Sequence, residues 1–344
     1  MSYMNSILTE RPLYRKINTL ALQGVRNLCF CLDSLVSEKN TRSMVVRTIK
    51  GAEQIKDKVC VFSHFDRRGH IWPHTRDYID ALIEEGFAVV FVSNSASLNS
   101  DSEAFAASRS AAIILRRNKG YDFGAYRDGL LHLGESVHGL KCLIFANDSV
   151  YGPLIPLRSM LHRMDFSFMD VWMATDSWQT RYHGQSYFMA FGPTALKHLA
   201  FMRFWSSVPN LIFKHSIIRR CEVGLTQHFL SAGLRVGAVW RYLDLVDRIS
   251  SRDLKNDSLH LADASMIALI QSSQKNLPVL NPTHQLWLEL LRDDFPFIKR
   301  ELLRDNPTHV KGLSAWHQIV GKTNLASYDA IILHLAQTIR NKAP

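Results

Sequence analysis

The sequence predicts an α/β fold: a mainly parallel twisted sheet flanked by helices, with a helical C-terminal extension. Three features predict it. Short apolar, β-branched runs recur at 59–65, 88–93, 111–116, 141–146, 171–175 and 187–191. Segments of helical period or composition lie between the early ones, at 75–85, 102–108, 123–133 and 154–164. Such alternation implies βαβ units and a parallel sheet.

The elements follow in order. Residues 1–57 read as an irregular-to-helical basic extension without a motif. In 75–85, Tyr78, Ile79, Leu82 and Ile83 share one helical face, and Gly86 stops the helix. In 154–164, Leu157, Met160, Leu161 and Met164 are in register. After 191 the pattern turns helical, at 195–205 and at 222–232 before Gly233, with a last strand at 235–240. The stretch 253–273 is ambiguous. Residues 282–304 read as largely helical, broken at Pro296, and 327–340 as helical. The expected division is a basic extension over 1–57, a sheet domain over 58–245 and a helical region over 246–344.

The net charge of +10 favours anionic partners such as nucleotide phosphates or lipid headgroups. The excess is densest in the first 50 residues, at Arg11, Arg15, Lys16, Arg26, Lys39, Arg42, Arg47 and Lys50, which would suit an acidic membrane face. A scattered solvated surface explains the charge equally well. Nucleic acid is not expected, because no aromatic-plus-basic strand motif or recognition helix accompanies the charge. No segment approaches the roughly 20 apolar residues of a membrane helix. Arg11, Arg15 and Lys16 follow a short apolar patch instead of preceding one, which is not the order of a secretory signal. The five cysteines, Cys29, Cys31, Cys60, Cys142 and Cys221, match no zinc spacing, and Cys60 and Cys142 read as buried thiols. The expected compartment is the cytoplasm.

Parallel sheets bind ligands beyond the carboxyl ends of their strands. Here those ends read Ser63-His64-Phe65-Asp66, Ser93-Asn94, Asn118-Lys119-Gly120, Asn147-Asp148-Ser149 and Asp176-Ser177. Five polar exits in succession suggest a shared polar floor.

Four clusters carry candidate chemistry. In 116–126, Gly120 and Gly124 permit a tight turn and close backbone approach. The helix start beyond them, with Arg117 and Lys119, suits a diphosphate. Asp122 would cap that helix, or accept from a base or ribose; a capped tight turn needs no ligand at all. In 145–153, Asp148 leaves a central strand where one carboxylate suffices for Mg²⁺ if phosphates complete its shell. The alternative is that Asp148 or Ser149 only caps a helix. In 182–188, His183 and Gln185 would contact sugar hydroxyls, or His183 a metal; a structural histidine is the plainer reading. In 221–226, Glu222 at a helix start would act as a general base, or only complement the helix dipole.

Together these motifs resemble the rhamnan synthesis protein F family. The shared stretches are Asn118-Lys119-Gly120-Tyr121-Asp122-Phe123-Gly124-Ala125-Tyr126, Asn147-Asp148-Ser149-Val150-Tyr151-Gly152-Pro153, and His183 with Gln185-Ser186-Tyr187-Phe188. Glu222-Val223-Gly224-Leu225-Thr226, Asn281-Pro282-Thr283-His284 and Pro296-Phe297-Ile298-Lys299-Arg300-Glu301-Leu302-Leu303 extend the match, which runs from about residue 59 to about 310.

The resemblance implies a GT-A-like glycosyltransferase fold and a sugar-transfer role in surface-polysaccharide synthesis. In that fold an Asp-x-Asp motif holds Mn²⁺ or Mg²⁺ and the donor diphosphate. The equivalent place here is Asn147-Asp148-Ser149, with an amide first and a hydroxyl third. The implied assignments are Glu222 as base, Asp148 as catalytic residue and metal ligand, and His64, Asn94, Asn118, Lys119, Gly120, Asp122, Asn147, Ser149, His183 and Gln185 as substrate contacts. The implied partners are a nucleotide-sugar donor and a lipid-linked or polysaccharide acceptor, with peripheral membrane contact expected from the basic N-terminal stretch alone. A non-catalytic nucleotide- or glycan-binding module is the rival, which the amide at 147 supports.

Overall fold

Strands buried on both faces must be apolar through their middles, and the central strands here are, turning polar only at their ends. The computed structural model describes residues 40–251, 279–319 and 325–340, with positions 24, 31, 33 and 270. Most of the basic extension, and all but position 270 of 253–273, lie outside the described residues. The elements that place the site are β1 (Val45–Lys50), β2 (Lys58–His64), α1 (Pro73–Glu84), β3 (Ala88–Ser93), α2 (Ser100–Arg109), β4 (Ala112–Arg116), α3 (Tyr121–Leu133), β5 (Cys142–Asn147), β6 (Val150–Tyr151) and α4 (Arg158–Leu161). Then come β7 (Val171–Ser177), β8 (His183–Gly184), β9 (Phe188–Phe191), α5 (Pro193–Lys197), α6 (Leu199–Ser207), α7 (Lys214–Ile217), α8 (Val223–Ser231), β10 (Val236–Trp240) and α9 (Tyr242–Ser250). The C-terminal elements are α10 (Pro282–Gln285), α11 (Trp287–Arg292), β11 (Ile298–Lys299), α12 (Arg300–Asp305), α13 (Trp316–Ile319) and α14 (Leu325–Arg340).

The main sheet has the order β1-β4-β3-β2-β5-β9-β7-β10, with β8 pairing β7. β2 lies parallel to both β3 and β5, β3 parallel to β4, and β7 parallel to β10. β9 runs antiparallel between β5 and β7, and β1 antiparallel along β4. Register brings the polar exits together: Ser63 stands opposite Asn147, and His64 opposite Ser93.

Alternation along β2 feeds two cores. Cys60 and Phe62 join Tyr78, Phe91, Ile144 and Trp240 on one face. Val59 and Val61 join Phe123, Tyr126, Phe145 and Trp205 on the other. A Cβ on Gly129 of α3 would sit 2.4 Å from Val61 Cγ1, so the helix rests directly on the sheet. Leu280, Leu286, Phe295 and Phe297 pack into the first core with the strands, and β11 pairs antiparallel with β6.

Several expectations are corrected. The N-terminal region contributes β1, which has no buried face to betray it in the sequence. The helix expected over 154–164 shrinks to α4; Pro156 lacks an N–H, and Leu154 N donates to Pro296 O at 2.8 Å instead. The helix at 195–205 is two helices, broken at His198, whose Nδ1 accepts from Ala200 N. The region 282–304 contains the strand β11.

One buried ion pair ties these parts together. The side chains of Arg116 on β4 and Asp128 on α3 are both 0% exposed, with Nε to Oδ2 at 2.8 Å. Arg116 Nη2 donates to Lys119 O at 2.8 Å, and Nη1 to Asn94 Oδ1. Asp128 also accepts from Met44 N and Arg127, so the lead into β1 hangs on the same carboxylate. Gly124 is required beside it: a Cβ there would lie 2.7 Å from Arg116 Nη2 and from Lys119 O. Removing one partner of such a pair strands a buried charge. Arg116→Met is expected to lower unfolding free energy in urea by about 3–5 kcal/mol, and Arg116→Met/Asp128→Leu to recover part of that loss.

Candidate functional site

The polar exits of β2, β4 and β5 form the floor. Ser63 Oγ donates to Asp122 Oδ1 at 2.8 Å, and Asn94 Nδ2 reaches Ser63 Oγ at 3.5 Å. A relay thus runs Arg116–Asn94–Ser63–Asp122 across three strand ends and into α3. Asp122 does not cap its helix. The N-cap is Gly120, at φ 79°, and its missing side chain leaves room for Asn210 Oδ1, 3.2 Å from where a Cβ would be. Asp122 instead turns into the floor. Burial pushes its carboxyl up to about 6, against the Ser63 hydrogen bond, and the charges of Asp148 and Glu222 push the same way.

Asp148 lies where β5 turns into β6. Its N donates to Ser63 O at 3.2 Å, and its Oδ2 accepts from Phe65 N at 3.4 Å. Arg300 Nη1 stands 3.0 Å from Asp148 Oδ2 and donates to the Asp148 carbonyl at 2.5 Å. Asn147 is buried, and its Oδ1 accepts from Ser149 N and Oγ, which makes a tight turn of the motif. Lys299 Nζ donates to Ser149 Oγ at 3.2 Å and lies 4.1 Å from the centre of the Tyr187 ring. Burial pulls the Lys299 ammonium down to about 8, while Glu222 and Asp122 hold it up.

Glu222 closes the opposite side. It is not at a helix start: helical backbone runs from α7 through a π turn, Ile218–Glu222, straight into α8. The dipole explanation for Glu222 therefore fails, and a π turn of this kind is frequent at functional sites. Glu222 Oε2 accepts from Ser186 N at 2.7 Å and from Ser186 Oγ. His183 Nε2 stands 3.7 Å from Oε1, too far for a hydrogen bond. His183 Nδ1 donates to Arg181 O at 2.7 Å, because a carbonyl only accepts.

Asp122, Asp148, Ser149, Glu222 and His183 are thus gathered with Lys299 and Arg300 at the strand exits. Other expected contacts are committed elsewhere. His64 is buried, with Nε2 donating to His70 O and Nδ1 accepting from Ser93 Oγ, each at 3.0 Å. Asn94 holds Arg116. Gln185 Oε1 accepts from Thr175 Oγ1 at 2.7 Å, and its amide faces Asn281 and Thr283. Asn118 and Lys119 are exposed on the turn before Gly120. Lys299 and Arg300 were not assigned to the site from the sequence; the signals were their place in the Pro296–Leu303 stretch of the family resemblance and the adjacency of the two cations.

The expected Mg²⁺ or Mn²⁺ on Asp148 meets a carboxylate already engaged by a guanidinium. Among the described residues no three His, Cys, Asp or Glu side chains gather as a metal-binding group. Asp148 would reach such an ion as a single carboxylate, shared with Arg300.

The profile of the rhamnan synthesis protein F family matches residues 89–268, more than half of the chain and most of this site. The chain belongs to that family. Within the rhamnan synthesis protein F family match lie Asp122, Asp148 and Glu222, while Lys299 and Arg300 fall beyond its end. The chain is 34% identical over 199 residues to the virulence protein VirA of Vibrio anguillarum, covering 57% of this chain and 63% of that protein. It is 27% identical over 251 residues to the uncharacterized protein y4gN of Sinorhizobium fredii, covering 71% of this chain and 65% of that one. The chain thus spans less than two thirds of either relative. Among the described residues no helix is long and apolar enough to cross a membrane.

Asp176, at the exit of β7, is buried and accepts from Tyr242 N at 2.6 Å. Burial pushes its carboxyl up to about 6. Above pH 6 folding must therefore bury a charge that the unfolded chain keeps in water. As pH falls from 6 towards the ordinary 3.8, the folded state takes up its proton first and the penalty disappears. Asp176→Asn is expected to stabilise the fold by about 1–3 kcal/mol at pH 8, the gain fading by pH 4, read as the difference between the two proteins' urea transitions.

Proposed function

We propose that this chain is a glycosyltransferase of the GT-A-like kind. It moves a sugar, with rhamnose the first candidate, from a nucleoside diphosphate to a growing bacterial surface polysaccharide. The observation that carries this reading is the meeting of Asp122, Asp148, Glu222 and Lys299 at the carboxyl ends of parallel strands, where the charges of Asp148 and Glu222 push the Asp122 carboxyl up and those of Glu222 and Asp122 hold the Lys299 ammonium up. The strand order supports it: four parallel strands, one reversed strand, then two more parallel to the first. The family's description and the likeness to a virulence protein agree with a surface-glycan product.

The chemistry assigned to these residues is a single displacement. Glu222 takes the proton of an acceptor hydroxyl, held in orientation by Ser186. The acceptor oxygen bonds to the anomeric carbon as that carbon's bond to the diphosphate oxygen breaks. The electron pair stays on the diphosphate, beside the cationic edge of the site. One base suffices for inversion. The acceptor would be lipid-linked or a polysaccharide chain, presented at the inner membrane face.

Purified protein with nucleoside-diphosphate-rhamnose donors and a glycan acceptor is expected to release nucleoside diphosphate. Glu222→Gln should lower turnover by about 100-fold or more with donor affinity nearly unchanged. Unchanged turnover in that variant defeats the base assignment. Donor binding without turnover under any condition favours a non-catalytic glycan-assembly module.

A further inference from the structure

The cationic residues of the site raise a question that the carboxylates do not answer: what neutralises a diphosphate here. Lys299 ends the short strand β11, which pairs with β6 immediately after the Asn147-Asp148-Ser149 turn. Arg300 begins α12, and its N donates to Ser149 O at 3.0 Å. Two adjacent cations are thereby fixed to the very turn that leaves the central strand.

Both are held from several sides. Arg300 reaches Asp148 with Nη1, and its Nη2 lies 3.3 Å from His334 Nε2. A guanidinium only donates, so neutral His334 accepts on Nε2, carries its proton on Nδ1 and donates it to Tyr151 Oη at 2.6 Å. That histidine stays neutral because burial and Arg300 itself keep its pKa low. Lys299 is braced by Ser149 Oγ and the Tyr187 ring. The geometry is that of a preorganised cationic pair, with Asp148 serving as its anchor instead of as a metal ligand.

Resting on the sugar-transfer reading above, we propose that Lys299 and Arg300 form the counter-charge for the donor diphosphate, so that donor binding needs no divalent cation. Lys299 offers a point charge and Arg300 the guanidinium protons that Asp148 and His334 leave over, the two kinds of group that grip phosphate oxygens. Asp148 and His334 are positioning residues for Arg300. The diphosphate's oxygens compete for Nη1 with a carboxylate already there, so the guanidinium is shared and needs little movement.

Isothermal titration of the full chain with UDP, dTDP and GDP, each with EDTA and each with excess Mg²⁺ or Mn²⁺, tests this. At least one of them is expected to bind in EDTA with a Kd within about threefold of its value in metal. Lys299→Met and Arg300→Lys should each weaken that binding by about tenfold or more while keeping the wild-type circular dichroism and melting transition. Binding that appears only with metal overturns the proposal and leaves the sugar-transfer reading standing. Wild-type affinity in both folded variants likewise overturns it. No binding of any of the three under any condition overturns both.

Discussion

The structure depends on one buried guanidinium. Arg116 leaves β4 in full burial, yet it satisfies a carboxylate on α3, an amide at the end of β3 and a carbonyl in the turn that starts α3. A charge this deep is tolerated only with its hydrogen bonds filled. Filling them fixes where three strand ends and one helix lie relative to each other. The relay through Asn94 and Ser63 then delivers that constraint to Asp122, in the first turn of α3. The floor of the site is thus fixed by the same hydrogen bonds that fill the guanidinium.

Charge balance in the cleft follows from this frame. Asp122, Asp148 and Glu222 would repel one another if left alone, and burial sharpens the repulsion. Lys299 and Arg300 come from far along the chain to offset it. The C-terminal segment is consequently part of the site as well as part of the core, where Phe295 and Phe297 pack with the strands. Glu222 is held apart from the Arg300–Asp148 pair by its own bonds to the Ser186 amide and hydroxyl.

The sheet was largely legible in the sequence, because strands buried on both faces must be uninterrupted apolar runs with polar exits. 88–93 matches β3 at both ends. β1 was not legible, since an exposed edge strand such as Val45–Lys50 carries no apolar face. Asp122 was legible as important but not in its role; local sequence favours a cap, and only tertiary register places Ser63 within reach. His64, Asn94 and Gln185 were read from their positions at strand ends, but their side chains turn into the protein. Lys299 and Arg300 were not legible as site residues, because the β6–β11 pairing that brings them to Ser149 joins residues about 150 positions apart, and no local pattern encodes it.

The claim beneath all of this is that separate strand tips and the C-terminal cations grip one diphosphate in one cleft. Backbone hydrogen exchange, followed with and without saturating nucleoside diphosphate, addresses it most directly. The account predicts slowed exchange in 119–124, 147–151 and 298–301 together, at a common ligand concentration. Slowing confined to one of these segments, or located away from all three, would contradict it.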